Sequence, residues 1–83
     1  MNEALRLTLY SRTYCHLCEE MHEQLEALRW DFGFELELVD VDRDPVLEQR
    51  FNDLVPLLMH GGRELARYRI DLASVRAYLT EIR

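Results

Sequence analysis

The sequence predicts an α/β fold in which a four-stranded mixed sheet carries helices on both faces. Its 83 residues suffice for one domain, and the composition, 48% hydrophobic and 31% charged, is typical of a globular protein. Segments that alternate apolar and polar residues are interleaved with segments of helical period, in the order βαβαββα. A helical crossover makes the first two strands parallel, whereas a tight turn makes the last two antiparallel. We assign residues 1–83 to a single domain.

The first strand and the first helix follow from two different apolar periods. Leu5–Tyr10 alternates, which places its leucines on one face of a strand. A helix is predicted over Cys15–Trp30 because apolar residues recur there every three or four positions. This apolar stripe consists of Cys18, Met21, Leu25, Leu28 and Phe32. Gly33 ends the helix, since glycine readily adopts the left-handed conformation that a helix exit requires.

The second strand and the second helix come next. Phe34–Val41 alternates again and is predicted to be a strand. Asp44 as N-cap and Pro45 at the first helical position indicate a short helix over Pro45–Asn52. Its inward face is formed by Leu47, Phe51 and Leu54. Three aromatic residues at the junction of the first helix and the second strand are predicted to pack in the core: Trp30, Phe32 and Phe34.

The C-terminal part is predicted to be a hairpin followed by a helix. Strands are predicted over Pro56–His60 and Arg63–Tyr68, joined by Gly61-Gly62. A two-residue glycine loop suits a tight hairpin because both residues can adopt positive φ. Asp71 caps the last helix, which has Tyr78 at its edge. Its inward residues are Leu72, Val75, Leu79 and Ile82.

Charge and hydropathy exclude several classes of function. Ten basic and sixteen acidic residues give a net charge of −6, which argues against binding to nucleic acid or to anionic membranes. No apolar run approaches the roughly 20 residues of a membrane-spanning helix. The N-terminal Met1–Arg6 lacks the basic head and apolar centre of a signal peptide. We therefore expect a cytoplasmic protein, which we take to be a monomer.

Cys15 and Cys18 are the two cysteines of the chain, and they form a C-x-x-C motif. The motif follows a predicted strand and opens a helix within a βαβ unit, a context typical of redox-active cysteines. Unpaired N–H groups and the helix dipole favour an anion at this position, so we expect the pKa of Cys15 to lie below the roughly 8.5 of a free thiol. Cys15 is thus the predicted nucleophile, and Cys18, one turn further on, resolves the mixed disulfide.

Some charged neighbours of the motif would stabilise the Cys15 thiolate, and others would destabilise it. Arg12 and His16 would add positive potential near Cys15, whereas Glu19 and Glu20 would oppose it. Arg12 is equally compatible with a solvated loop cation, and His16 also fits a polar residue at an exposed helix start.

Two segments resemble a known family. Tyr10–Cys18 is similar to the active-site segment of glutaredoxins and glutaredoxin-like proteins, and Val55-Pro56 resembles the Val–cis-Pro pair that faces their cysteines. The order βαβαββα is also that of the minimal thioredoxin fold of the glutaredoxin type. The resemblance covers nearly the whole chain.

The resemblance implies a role for individual residues in substrate binding. Arg12 takes the place of a basic residue that assists thiolate or glutathione binding, and Tyr14 lies in the same segment. Val55 would offer its main-chain N–H and C=O to an extended substrate beside a cis Pro56. Asp71 matches an aspartate that grips the glutathione carboxylate in glutaredoxins.

Glutathione is the co-substrate that the resemblance implies, with no tightly bound cofactor. The Gly-Gly pair that precedes the matching aspartate in glutaredoxins is absent, however, because Tyr68-Arg69-Ile70 stands before Asp71. The only Gly-Gly pair belongs to the hairpin. The disulfide partner is therefore expected to be a disulfide-containing protein or a glutathione mixed disulfide.

Three functions fit the cysteine pair. The favoured one is a thiol–disulfide oxidoreductase; a protein-docking module with idle or regulatory cysteines is the alternative. Loss of both cysteines would abolish the first and spare the second.

The third function is a metal site, which could use Cys15, Cys18 and His22. A closed zinc site needs four ligands, and only half of such a ligand set is visible in the sequence, so no metal is predicted. The aspartates Asp40, Asp42 and Asp44 lack the glycine and glutamate of a calcium loop and are interpreted as a strand end and an N-cap.

Overall fold

The computed structural model describes residues 5–82 and has the predicted element order. Each boundary lies within two residues of its prediction. The elements are β1 (Arg6–Ser11), α1 (His16–Phe32), β2 (Glu35–Asp40), a 3-10 turn (Val41–Arg43), α2 (Pro45–Phe51), β3 (Leu57–His60), β4 (Arg63–Arg67) and α3 (Leu72–Ile82). Most of the N-terminal stretch used to exclude a signal peptide lies outside the described residues. None of the helices within 5–82 is long and apolar enough to cross a membrane.

The sheet has the strand order β2-β1-β3-β4. Central β1 pairs with β2 in parallel and with β3 antiparallel, and β3 pairs antiparallel with β4. Because side chains alternate along a strand, Leu7 and Leu9 face α1 and α3, while Tyr10 faces the other way and stacks on Phe51 of α2. The mixed sheet with helices on both faces is therefore confirmed.

One apolar core fixes α1 against the sheet. Its predicted stripe is buried from Cys18 to Leu28, and Phe32 packs half-buried against the core. The cluster joins the stripe to β1, β3 and α3 through Leu7, Leu9, Met21, Leu25, Leu28, Phe34, Leu58, Val75 and Leu79. Gly33 ends α1 at φ 70°, and its N–H donates to the Arg29 carbonyl at 2.8 Å. This is the left-handed exit for which glycine is suited.

Trp30 is 90% exposed, so its predicted place in the core is wrong. It lies two residues beyond buried Leu28, and two residues turn a helix by about 200°, which carries the indole to the solvent face. Phe34, which was assigned to the same aromatic cluster, is buried.

Two helices also bury less than predicted. Leu72 and Ile82 are exposed, because they occupy the two ends of α3 while Val75 and Leu79 cover the sheet from its middle turns. The three residues assigned to the inward face of α2 are half-buried, since a seven-residue helix covers only part of the sheet: Leu47, Phe51 and Leu54.

We expect Leu9→Ala to cost about 2–5 kcal/mol of unfolding free energy, because Leu9 is fully buried in the central strand. Leu38 is its register partner on edge strand β2 and is 51% exposed, so Leu38→Ala should cost about 1 kcal/mol or less. Urea unfolding followed by circular dichroism measures both. Equal losses would contradict the placement of the core.

Candidate active site

Cys15 is the N-cap of α1. Its Sγ accepts a hydrogen bond from the main-chain N–H of Cys18 at 3.1 Å, and its carbonyl accepts the first helical bond from Glu19. The sulfur thereby occupies the position usually taken by a serine, threonine or aspartate oxygen that satisfies one of the unpaired N–H groups of a helix start. This arrangement favours negative charge on the sulfur.

The two cysteines form a disulfide, with their Cα atoms 5.2 Å apart. Cys18 is only 4% exposed because it belongs to the buried stripe of α1, whereas Cys15 is partly exposed. An external disulfide can therefore reach one sulfur of the pair and not the other. This asymmetry is what a nucleophilic cysteine and a resolving cysteine require.

A shallow groove opens in front of Cys15 and brings together four of the predicted site residues. The residues that line it are Arg12, Thr13, Tyr14, Cys15, Asn52, Asp53 and Val55. The Val55–Pro56 peptide bond is cis. No hydrogen bond within residues 5–82 uses the main-chain N–H or C=O of Val55, so both groups are available to a partner along the groove.

Tyr14 lies at the rim of the groove with a fully exposed side chain. Its backbone has φ 59°, in the left-handed region that residues other than glycine adopt at a steric cost. The sequence pattern did not indicate this conformation. It places a large aromatic surface immediately before Cys15.

The Arg12 guanidinium bridges two segments beside the groove. Its Nε donates to Asp42 Oδ1 at 3.2 Å, and its Nη1 donates to Asn52 Oδ1 at 2.7 Å. Its Nη2 forms an ion pair with Asp42 Oδ1 at 3.1 Å. The next residue, Thr13, donates from Oγ1 to Asp40 Oδ2 at 3.0 Å. The loop that leads into Cys15 is thus tied to the end of β2 and to the end of α2.

Sequence reasoning missed Asp42 and Asn52 as partners of Arg12, since both are distant in the chain and neither belongs to a recognisable motif. The interpretation of the neighbouring aspartates is confirmed. The Asp40 side chain accepts from the Asp42 N–H, and the Asp44 side chain accepts from the Val46 N–H, each at 2.9 Å.

His16 is the first residue of α1 and is exposed, and its side chain makes no hydrogen bond or ion pair within residues 5–82. His22 lies one turn beyond Cys18 and pairs with Glu26 at 3.5 Å. Across the described chain, no three His, Cys, Asp or Glu side chains are grouped closely enough to hold a metal ion.

The far wall of the groove is braced from the loop that precedes α3. The Tyr68 N–H donates to the Pro56 carbonyl at 2.8 Å, and its phenol donates to the Asp53 carbonyl at 2.6 Å. Asp71 does not line the groove; its Oδ1 accepts from the Ser74 N–H at 3.2 Å and caps α3 as predicted. Sequence reasoning missed Tyr68, because an aromatic residue at a strand end carries no distinctive signal.

Replacing Arg12 tests whether its contacts or its charge matter. Lysine keeps the charge but cannot reach Asp42 and Asn52 together, so Arg12→Lys and Arg12→Met should lose similar stability, about 1 kcal/mol or less for a partly exposed pair. Arg6→Met, which removes a more exposed ion pair with Glu35, is the control and should have the smaller effect. Urea unfolding measures all three. A loss confined to Arg12→Met would show that the charge alone matters.

Comparison with known proteins identifies the family of the chain. The family described as glutaredoxin-like domain (DUF836) matches residues 6–80. The uncharacterized protein Rv0508 of Mycobacterium tuberculosis is 31% identical over 77 residues, which cover 87% of this chain and 79% of that protein.

Solved structures show the same likeness. Protein Ne2328 of Nitrosomonas europaea is 38% identical over 94% of each chain, with a TM-score of 0.77. The glutaredoxin-like protein NrdH-redoxin of Escherichia coli is 25% identical over 86% of this chain and 92% of its own, with a TM-score of 0.63. Thioredoxins at 17–19% identity, with TM-scores of 0.63–0.69, share the fold alone. The chain therefore has the thioredoxin fold and belongs to the glutaredoxin-like domain family (DUF836).

Proposed function

We propose that the protein is a thiol–disulfide oxidoreductase that works by dithiol exchange. One observation carries the proposal: a partly exposed Cys15 caps a helix N-terminus and is bonded to a buried Cys18. Membership in the glutaredoxin-like family supports it. The docking module with idle cysteines gives no reason for this placement of the two sulfurs.

The reduced protein would begin the reaction with the Cys15 thiolate. The thiolate attacks one sulfur of a substrate disulfide, forms a mixed disulfide and expels the other substrate sulfur as a thiolate. Cys18 then loses its proton, attacks the Cys15 sulfur and releases the second substrate sulfur. Two electrons pass to the substrate, which takes up two protons, and the protein is left with the Cys15–Cys18 disulfide described above.

The helix start supplies the activation that the first step needs. A thiolate accepts a hydrogen bond more strongly than a thiol does, so the Cys18 N–H stabilises the charged form of Cys15. The dipole of α1, a helix of seventeen residues, acts in the same direction. In the reduced protein, we expect these two effects to lower the pKa of the Cys15 thiol below the roughly 8.5 of a free cysteine.

The substrate we propose is an extended segment of a disulfide-containing protein. Among the described residues, neither main-chain polar group of Val55 in the groove has a hydrogen-bond partner, which suits pairing with another backbone. Tyr14 offers an exposed apolar surface beside the reactive sulfur.

We propose that the protein acts in the cytoplasm. The reductant we propose is a protein dithiol rather than glutathione. The loop before α3 is Tyr68-Arg69-Ile70, without the glycines expected of a glutathione site, and one carboxylate oxygen of Asp71 is engaged in capping α3. NrdH-redoxin, a glutaredoxin-like relative in structure, is described as having a thioredoxin-like activity profile.

Single cysteine variants test the mechanism. Reduced Cys18→Ser, freed of reductant, should capture a disulfide-linked peptide as a stable mixed disulfide on Cys15, because the resolving thiol is missing. Cys15→Ser should form no adduct, since Cys18 is buried. Mass spectrometry of the intact proteins detects both outcomes.

The wild-type protein is the control, and should release both peptide halves and end as the intramolecular disulfide. An adduct on Cys15→Ser equal to that on Cys18→Ser would contradict the assigned roles. Absence of any exchange by the wild-type protein would favour the docking module.

A further inference from the structure

Tyr68 contacts both ends of the segment that faces Cys15. This residue follows β4 and has φ 67°, in the left-handed region. Its main-chain N–H donates to the carbonyl of Pro56 at 2.8 Å, and its phenol O–H donates to the carbonyl of Asp53 at 2.6 Å. A single residue of the opposite loop thus holds both ends of a four-residue segment.

The segment needs such support, because residues 53–56 belong to neither α2 nor β3. A turn hydrogen bond from the Leu54 N–H to the Phe51 carbonyl fixes the start of the segment. The main-chain polar groups of Val55, however, make no hydrogen bond within the described chain. A left-handed backbone has a steric cost for tyrosine. In this structure, the left-handed backbone of Tyr68 occurs together with the hydrogen bond from its phenol to the Asp53 carbonyl.

We propose that Tyr68 is a positioning residue for substrate binding, which rests on the proposed function. Its phenol holds the segment from Asp53 to Pro56 so that the main chain of Val55 is presented beside Cys15. Tyr68 does not line the groove in front of the sulfur, so it acts through Val55 and not on the thiolate. Without the phenol hydroxyl, the segment from Asp53 to Pro56 would become ordered only when a peptide binds. The apparent affinity of the protein for the peptide would then fall.

Tyr68→Phe tests this role, and Tyr78→Phe is a matched control. Each removes one phenol hydroxyl that makes a hydrogen bond of 2.6 Å. The Tyr78 hydroxyl contacts His60, at the end of β3 opposite to Pro56. The two variants therefore make the same chemical change at opposite ends of one strand.

The assay uses single-turnover reduction of two probes by the pre-reduced proteins. One probe is a disulfide-linked peptide with a fluorophore and a quencher on its two halves, and the other is hydroxyethyl disulfide, which has no backbone to pair with Val55. For Tyr68→Phe we expect the peptide concentration at half-saturation to rise roughly 3- to 10-fold, the effect of one neutral hydrogen bond, with the saturating rate unchanged. The rate with hydroxyethyl disulfide should not change, and Tyr78→Phe should match the wild-type protein with both probes.

Two results would overturn the role of Tyr68 alone. One is a half-saturation concentration of the peptide for Tyr68→Phe that equals that of the wild-type protein. The other is an equal loss with both probes, which would indicate an effect on the sulfur or on folding instead. Failure of the wild-type protein to reduce either probe would overturn the proposed function and this role with it.

Discussion

The proposed chemistry of this chain depends on one hydrogen bond, from the Cys18 N–H to the sulfur of Cys15. The bond exists because Cys15 is the N-cap of α1, and α1 is held there by its buried stripe against the central strand. Burial of Cys18 and exposure of Cys15 follow from the same placement, since one lies on the stripe and the other precedes it. The core thereby determines which sulfur is partly exposed and which is shielded.

The rest of the site consists of loops braced by side chains. Arg12 and Thr13 tie the approach to Cys15 to the aspartates that end β2 and begin the 3-10 turn. Tyr68 ties the opposite wall to the loop before α3. Both braces are contacts between segments far apart in sequence, and within residues 5–82 the main-chain polar groups of Val55 between them form no hydrogen bond. Under the proposed function, a substrate would meet one reactive sulfur and one unpaired stretch of backbone.

The sequence predicted the element order and the position of the cysteines because both follow from local patterns, alternation in strands and a three-to-four step in α1. It could not predict the partners of Arg12 or the contacts of Tyr68, which depend on how distant loops meet. Apolar character alone also led to wrong predictions of burial. Trp30 is exposed because the rotation of α1 turns it to solvent, and Leu72 and Ile82 are exposed because they lie at the ends of α3. Such errors are natural in a small domain, where few apolar residues can be fully covered.

In the mechanism that we propose, the start of α1 stabilises the thiolate form of Cys15. The most direct measurement is alkylation of the reduced protein with iodoacetamide across a pH series, with the modified cysteine located by fragmentation in the mass spectrometer. We predict that Cys15 is alkylated with an apparent pKa below the roughly 8.5 of a free thiol, while Cys18 stays largely unmodified. Equal alkylation of both cysteines, with a midpoint at or above that value, would contradict it.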